Sequence, residues 1–111
     1  MAHLFFVEFI RLPTFERSSS SLFGETDLLG IEIELIENPN AGDLIPHGRG
    51  LRKLRRPASG RGKRGGSRVI YYHVVSGSKI LLIYAYAKNQ KTDLDQKQLK
   101  MLSECVKAEF Q

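Results

Sequence analysis

Apolar residues alternate from residue 4 to residue 11, with Phe5, Val7 and Phe9 on one side and Leu4, Phe6 and Ile10 on the other. This pattern predicts a strand with both faces covered, ended by Pro13. Thr14 is placed to cap a short helix carrying Phe15 and Leu22, although the serines from Ser18 to Ser21 are weak helix formers. From Glu25 to Glu37 the residues IEIELIE alternate like a strand. Leu28, Ile31 and Leu35 also form one helical stripe, with Leu29, Ile33 and Ile36 beside it, and the length and the Asn38-Pro39 stop favour a helix. ENPNAGDLIP then reads as a turn-rich connection.

Beyond it, Leu51 to Arg56 predicts a short strand broken by Pro57, and Ser59 to Gly66 an exposed loop. Ser67–Val75 and Lys79–Ala87 are two β-rich strands around Ser76-Gly77-Ser78, which reads as a tight hairpin. If Val75 pairs with Lys79, Arg68 stands opposite Tyr86 on one face and Gly66 opposite Lys88. A one-residue shift would send Arg68 and Tyr86 to opposite faces unless a bulge compensates. The last segment predicts a helix with Asp95 as N-cap, Gln98 completing a capping box and Leu94 stapled to Leu99. Its apolar stripe is Leu99, Leu102, Val106 and Phe110. The sum is an α+β chain: one small domain over residues 1–111, with an antiparallel-rich sheet, two N-terminal helices and a C-terminal helix.

Charge changes this picture most. Residues 1–43 carry a net −6, residues 44–92 a net +12 with no acid, and residues 93–111 a net −1. Arg49, Arg52, Lys53, Arg55, Arg56, Arg61, Lys63, Arg64 and Arg68 crowd into one stretch that repels itself unless an anion compensates it. A nucleic-acid backbone is such an anion. A solvated basic loop, or a flexible tract rich in Arg and Gly, has the same composition. Against that, the cluster runs directly into the strand SRVIYYHVV, so its ends should be held rigidly.

The remaining chemistry is sparse. Gly62-Lys63 is not a phosphate-binding loop, since Arg64 follows where Ser or Thr is required and Pro57 stands where the first glycine should be. His3, His47 and His73 lie far apart with one cysteine, Cys105, which argues against a metal site and leaves no internal disulfide. His73 reads as a packed or edge histidine, not a general base. LFFVEFI is too short to span a membrane and is interrupted by Glu8. With no signal-peptide pattern, a soluble protein of a reducing cytosol is expected.

Three segments in order, GLRKLR, GRGKRGGSRVIYY and LLIYAYAKNQKTDL, with ENPNAGDLIP upstream, resemble the RelE/HigB family of bacterial type II toxin–antitoxin modules. The similarity covers about residues 25–105 and is nearest to the HigB-type branch. It implies a ribosome-dependent mRNA interferase, which cleaves mRNA in the ribosomal A site through the RNA's own 2′-hydroxyl and needs no cofactor or metal. It also implies a partner, a helix-turn-helix antitoxin. Lys53, Arg55 and Arg68 fall on the family's basic catalytic pattern, and Tyr86 and Lys88 are candidates for base stacking or proton transfer. Another arginine is usual near Lys88-Asn89, so the identity of the acid stays open. Arg49, Arg52, Arg56, Arg61, Lys63 and Arg64 would grip rRNA or mRNA phosphates. ParE-type toxins, which inhibit DNA gyrase, share the fold, and a non-catalytic RNA- or ribosome-binding protein is a further alternative.

Overall fold

The computed structural model describes residues 7–57, 66–89 and 94–110. Its elements run β1 (Glu8–Arg11), α1 (Pro13–Ser19), α2 (Glu25–Glu37), β2 (Asp43–Leu44), β3 (Arg52–Arg56), β4 (Ser67–Val74), β5 (Lys79–Ala87) and α3 (Gln96–Glu109). The five strands form one sheet in the order β1-β5-β4-β3-β2. β1 lies parallel to β5, and every other pairing is antiparallel. The α+β architecture, with two helices before the main hairpin and one after it, is the one the pattern predicts. No helix among the described residues is long and apolar enough to cross a membrane.

The alternation of β4 and β5 divides the core in two. Val69, Tyr71, Ile80 and Leu82 pack with Phe15 of α1 and with Leu28, Ile31 and Leu35 of α2. Ile70, Leu81 and Ile83 pack on the opposite face with Leu99, Leu102 and Val106 of α3. Strands covered on both faces in this way have little room for polar residues, which explains the nearly continuous apolar run of β5. Each fully buried aliphatic side chain in these layers is worth about 1.5–3 kcal/mol of transfer free energy.

Several local expectations are corrected. Pro13 does not only end β1: it opens α1 at the first helical position, where its missing N–H costs nothing, and Leu12 is the N-cap. Thr14 is therefore not a cap. Its hydroxyl donates to the Ile83 carbonyl, and the Ser18 hydroxyl accepts the Ala85 N–H at 2.9 Å. Beyond the end of β1, the small polar residues of α1 thus satisfy the exposed edge of β5. Asp43–Leu44 pairs with β3 as a two-residue edge strand inside what reads as a turn-rich connection. Phe110 falls outside α3 and is 53 % exposed, so the apolar stripe ends at Val106. Residues 4–6 of the expected first strand and most of the loop from Ser59 lie outside the described residues.

The main hairpin turns on four residues, Val75 to Ser78, because Val74 and not Val75 pairs with Lys79. Gly77 (φ 98°) and Ser78 (φ 53°) take the left-handed conformations that close it. Left alone, that register would set Arg68 opposite Ala85 and turn Tyr86 toward α2. A bulge restores it: Tyr71 pairs with Leu82 but Ile70 pairs with Tyr84, so Ile83 is an extra residue in β5. Arg68 therefore stands opposite Tyr86 after all.

Candidate active site

Leu54 points into the core under α2, so its neighbours Lys53 and Arg55 take the other face of β3. Directly opposite residues in an antiparallel pair share a face. Arg55 is opposite Arg68, and Arg68 is opposite Tyr86, which packs in the α3-side core. Three strands thus lay Arg55, Arg68 and Tyr86 in one row across the sheet. Lys53 is one step along the same face, opposite Ile70 and in line with Tyr84. The rings of Tyr84 and Tyr86 lie 6.2 Å apart.

The row grades from open to buried. Arg55 is exposed, whereas Arg68 and Tyr86 are only 8 % and 5 % exposed. Arg68 therefore does not face an open side of the sheet, because that face carries α3; its Nη1 donates to the Ser67 carbonyl at 3.2 Å. Two guanidinium-bearing residues set directly opposite one another repel, and an anion placed between them relieves the repulsion. Lys88 continues the same ladder: its N–H donates to the Gly66 carbonyl at 3.0 Å, two residues beyond Tyr86.

Beside the row is a cavity of about 360 Å³ lined by Lys53 and Arg55, by Asp43 and His47, and by Leu94 and Gln96 at the start of α3. Asp43 is directly opposite Lys53, so β2 brings a carboxylate to an otherwise basic surface. The 42–48 loop is placed by Tyr71, whose buried hydroxyl accepts the Gly42 N–H at 2.9 Å and donates to the Pro39 carbonyl at 2.7 Å. Burial raises the phenol's pKa above its ordinary 10.0. A Cβ on Gly42 would come within 2.7 Å of the Tyr71 ring and 3.0 Å of the Lys53 carbonyl group, so only glycine allows this approach. His47 adopts φ 60° at the cavity rim. Neither Asp43 nor His47 stands out in the sequence. Their only local signal is a turn-rich segment just before a basic strand.

The remaining basic residues separate. Arg52 and Arg56 point to the α2 face by strand alternation. Arg52 Nη1 donates to the Gly42 carbonyl at 2.7 Å, and Arg56 Nη1 pairs with Glu34 of α2 at 2.6 Å. Arg49 is exposed at φ 55° and lines a different cavity with Tyr72 and Lys107, at the far end of α3. Arg61, Lys63 and Arg64 lie outside the described residues. Among the described residues no group of three His, Cys, Asp or Glu side chains is placed to hold a metal ion.

A family model described as the RelE toxin of the RelE/RelB toxin–antitoxin system matches residues 31–111, which includes every residue of this surface. The fold is similar to that of a mutant E. coli toxin RelE in the free state, with a TM-score of 0.52 and 17 % identity over 78 % of this chain and 87 % of that one. It is similar to a chain of the intact E. coli RelBE toxin–antitoxin complex to the same degree, 0.52 and 17 %, over 73 % of this chain and 95 % of that one.

Proposed function

Because the chain belongs to the RelE family of toxins from toxin–antitoxin systems, we propose that it is an mRNA interferase, an endoribonuclease that cleaves mRNA in the ribosomal A site. The observation that carries this reading is the row Arg55–Arg68–Tyr86, with Lys53 beside it, on one face of the sheet next to an open cavity. A 2′-hydroxyl oxygen of the RNA attacks the adjacent phosphorus, and the bond from phosphorus to the 5′-oxygen breaks. The products are a 2′,3′-cyclic phosphate and a 5′-hydroxyl. The phosphorane carries extra negative charge, and Arg55, Arg68 and Lys53 supply cations where it develops. Holding the 2′-oxygen, phosphorus and leaving oxygen in line is a matter of positioning, for which a guanidinium fork suits a phosphate.

Two protons must move. The leaving 5′-oxygen gains one, and Tyr86 and Lys88 are the donors nearest in sequence and register to the row. The attacking hydroxyl loses one. Asp43 and His47, which line the same cavity as Lys53 and Arg55, are groups able to take it. Tyr84, partly exposed beside the buried Tyr86, offers a ring on which an unstacked base can lie. Arg49 would bind phosphate apart from the row, and Arg61, Lys63 and Arg64 belong to the same role.

The family also implies an antitoxin partner, here a helix-turn-helix protein encoded beside the toxin. The test is incubation of the purified chain with translating ribosomes, followed by mapping of mRNA 3′ ends. Cleavage within the A-site codon, lost in Lys53→Ala and Arg55→Ala, is the expected result. Intact mRNA with inhibited DNA gyrase would overturn this reading, and so would ribosome binding without cleavage.

A further inference from the structure

α2 carries two stripes. Leu28, Ile31 and Leu35 face the sheet and are buried, but Leu29, Ile33 and Ile36 are 56 %, 48 % and 47 % exposed. Their spacing, i, i+4 and i+7, makes a continuous seam along the outer face of the helix. It satisfies no folding requirement, since the inner stripe already packs the core, and three large side chains left in water cost solubility. A cavity opens at each end of the seam. One, of about 330 Å³, is lined by Ile36 with Val7, Pro39 and Ile80. The other, of about 280 Å³, is lined by Leu29 with Thr26 and Arg11.

The rim of this seam is acidic. α2 holds five carboxylates and no base. Glu32 and Glu34 are committed to Arg11 (3.0 Å) and Arg56 (2.6 Å), while Glu25 and Glu37, at the two ends of the helix beside the two cavities, are exposed. An apolar seam of helical period with carboxylates at both ends fits another helix with the matching period and cationic flanks. We propose that the outer face of α2 is the docking site for an amphipathic, Lys/Arg-flanked helix of the antitoxin, seated on Leu29, Ile33 and Ile36. The assignment of the helix to an antitoxin rests on the toxin–antitoxin reading above. The site lies on the sheet face opposite the basic row, so its chemistry is the reverse of that expected for a partner that neutralises the row by charge.

Two helical peptides with identical leucine seams, one flanked by lysines and one by glutamates, are titrated calorimetrically into the full chain. The lysine-flanked peptide should bind and the glutamate-flanked one should not. Leu29→Gln with Ile33→Gln should weaken binding about tenfold or more. Glu25→Lys with Glu37→Lys should reverse the peptide preference, which a loss of folding cannot do. Met101→Gln, on an exposed residue of α3, should change nothing. In cells, the Leu29→Gln/Ile33→Gln chain should still arrest growth but escape neutralisation by the product of the adjoining gene. Equal binding of both peptides, no binding, or unchanged rescue of the variant would overturn the proposal. A dimer of the free chain abolished by Ile33→Gln would also overturn it, by assigning the seam to a second copy. Absence of growth arrest by the unsubstituted chain would instead count against the toxin activity, leaving the peptide titrations to decide the docking site.

Discussion

Arg68 stands between Arg55 and Tyr86 and is only 8 % exposed, so its substitution tests both the proposed chemistry and the folding. Arg68→Ala should lower the single-turnover cleavage rate on ribosomes by about a hundredfold or more, by removing charge stabilisation of the phosphorane. It should also destabilise the fold by about 1–3 kcal/mol in urea titration, because the arginine stem is packed there. Full activity in a folded Arg68→Ala protein would remove this residue from the mechanism. Tyr71 acts at one remove, holding the 42–48 loop through its hydroxyl. Tyr71→Phe should cost about 1–3 kcal/mol, by leaving the Gly42 N–H without that acceptor. The pH dependence follows from the direction of the shift. The folded-state pKa is raised, so the stabilisation is complete below the unfolded value near 10.0 and falls as pH rises from there through the folded value. Thermal melts between pH 9 and pH 11 should show this loss in the unsubstituted protein and a shallower one in Tyr71→Phe.

The elements differ in how far local residues specify them. α3 begins where its capping box says it should: Asp95 accepts the Gln98 N–H at 2.8 Å, and the Gln98 side chain accepts the Asp95 N–H at 3.0 Å. Asp95→Ala should therefore destabilise the protein by about 1 kcal/mol in denaturant unfolding. Cleavage should fall too if the cavity wall at Leu94 and Gln96 depends on that start. The hairpin was only half legible. The strand pattern and turn composition marked both arms, but a Ser-Gly-Ser segment does not dictate the number of turn residues. Val75 joins the turn, and the bulge at Ile83 returns the register. The bulge sits where Thr14 and Ser18 of α1 bind the β5 backbone, a distant contact that no short window of sequence contains.

For the whole molecule, charge segregation along the chain becomes segregation between faces. Lys53, Arg55 and Arg68 lie on the α3 side, while Arg52 and Arg56 are engaged on the α2 side. RNA affinity should therefore fall by about 0.7 logarithmic units per neutralised phosphate for each tenfold rise in salt. Lys53→Gln and Arg55→Gln should flatten that slope in filter binding, and Arg52→Gln and Arg56→Gln should not. Equal slopes for all four would mean that the faces are not separated in binding. The sequence by itself determined the three helices, the two arms of the main hairpin, the α+β class and the basic character of the surface, because periodicity, caps and charge are properties of neighbouring residues. It did not say which pair, Arg52 and Arg56 or Lys53 and Arg55, faces the helix that holds Glu34, although strand alternation already places the two pairs on opposite faces. The tertiary structure decided that division, since only the packed α2 shows which face holds Glu34. It also decided the presence of Asp43 beside Lys53 and the burial of Arg68, for the same reason: cross-strand pairing and helix packing join residues far apart in the chain.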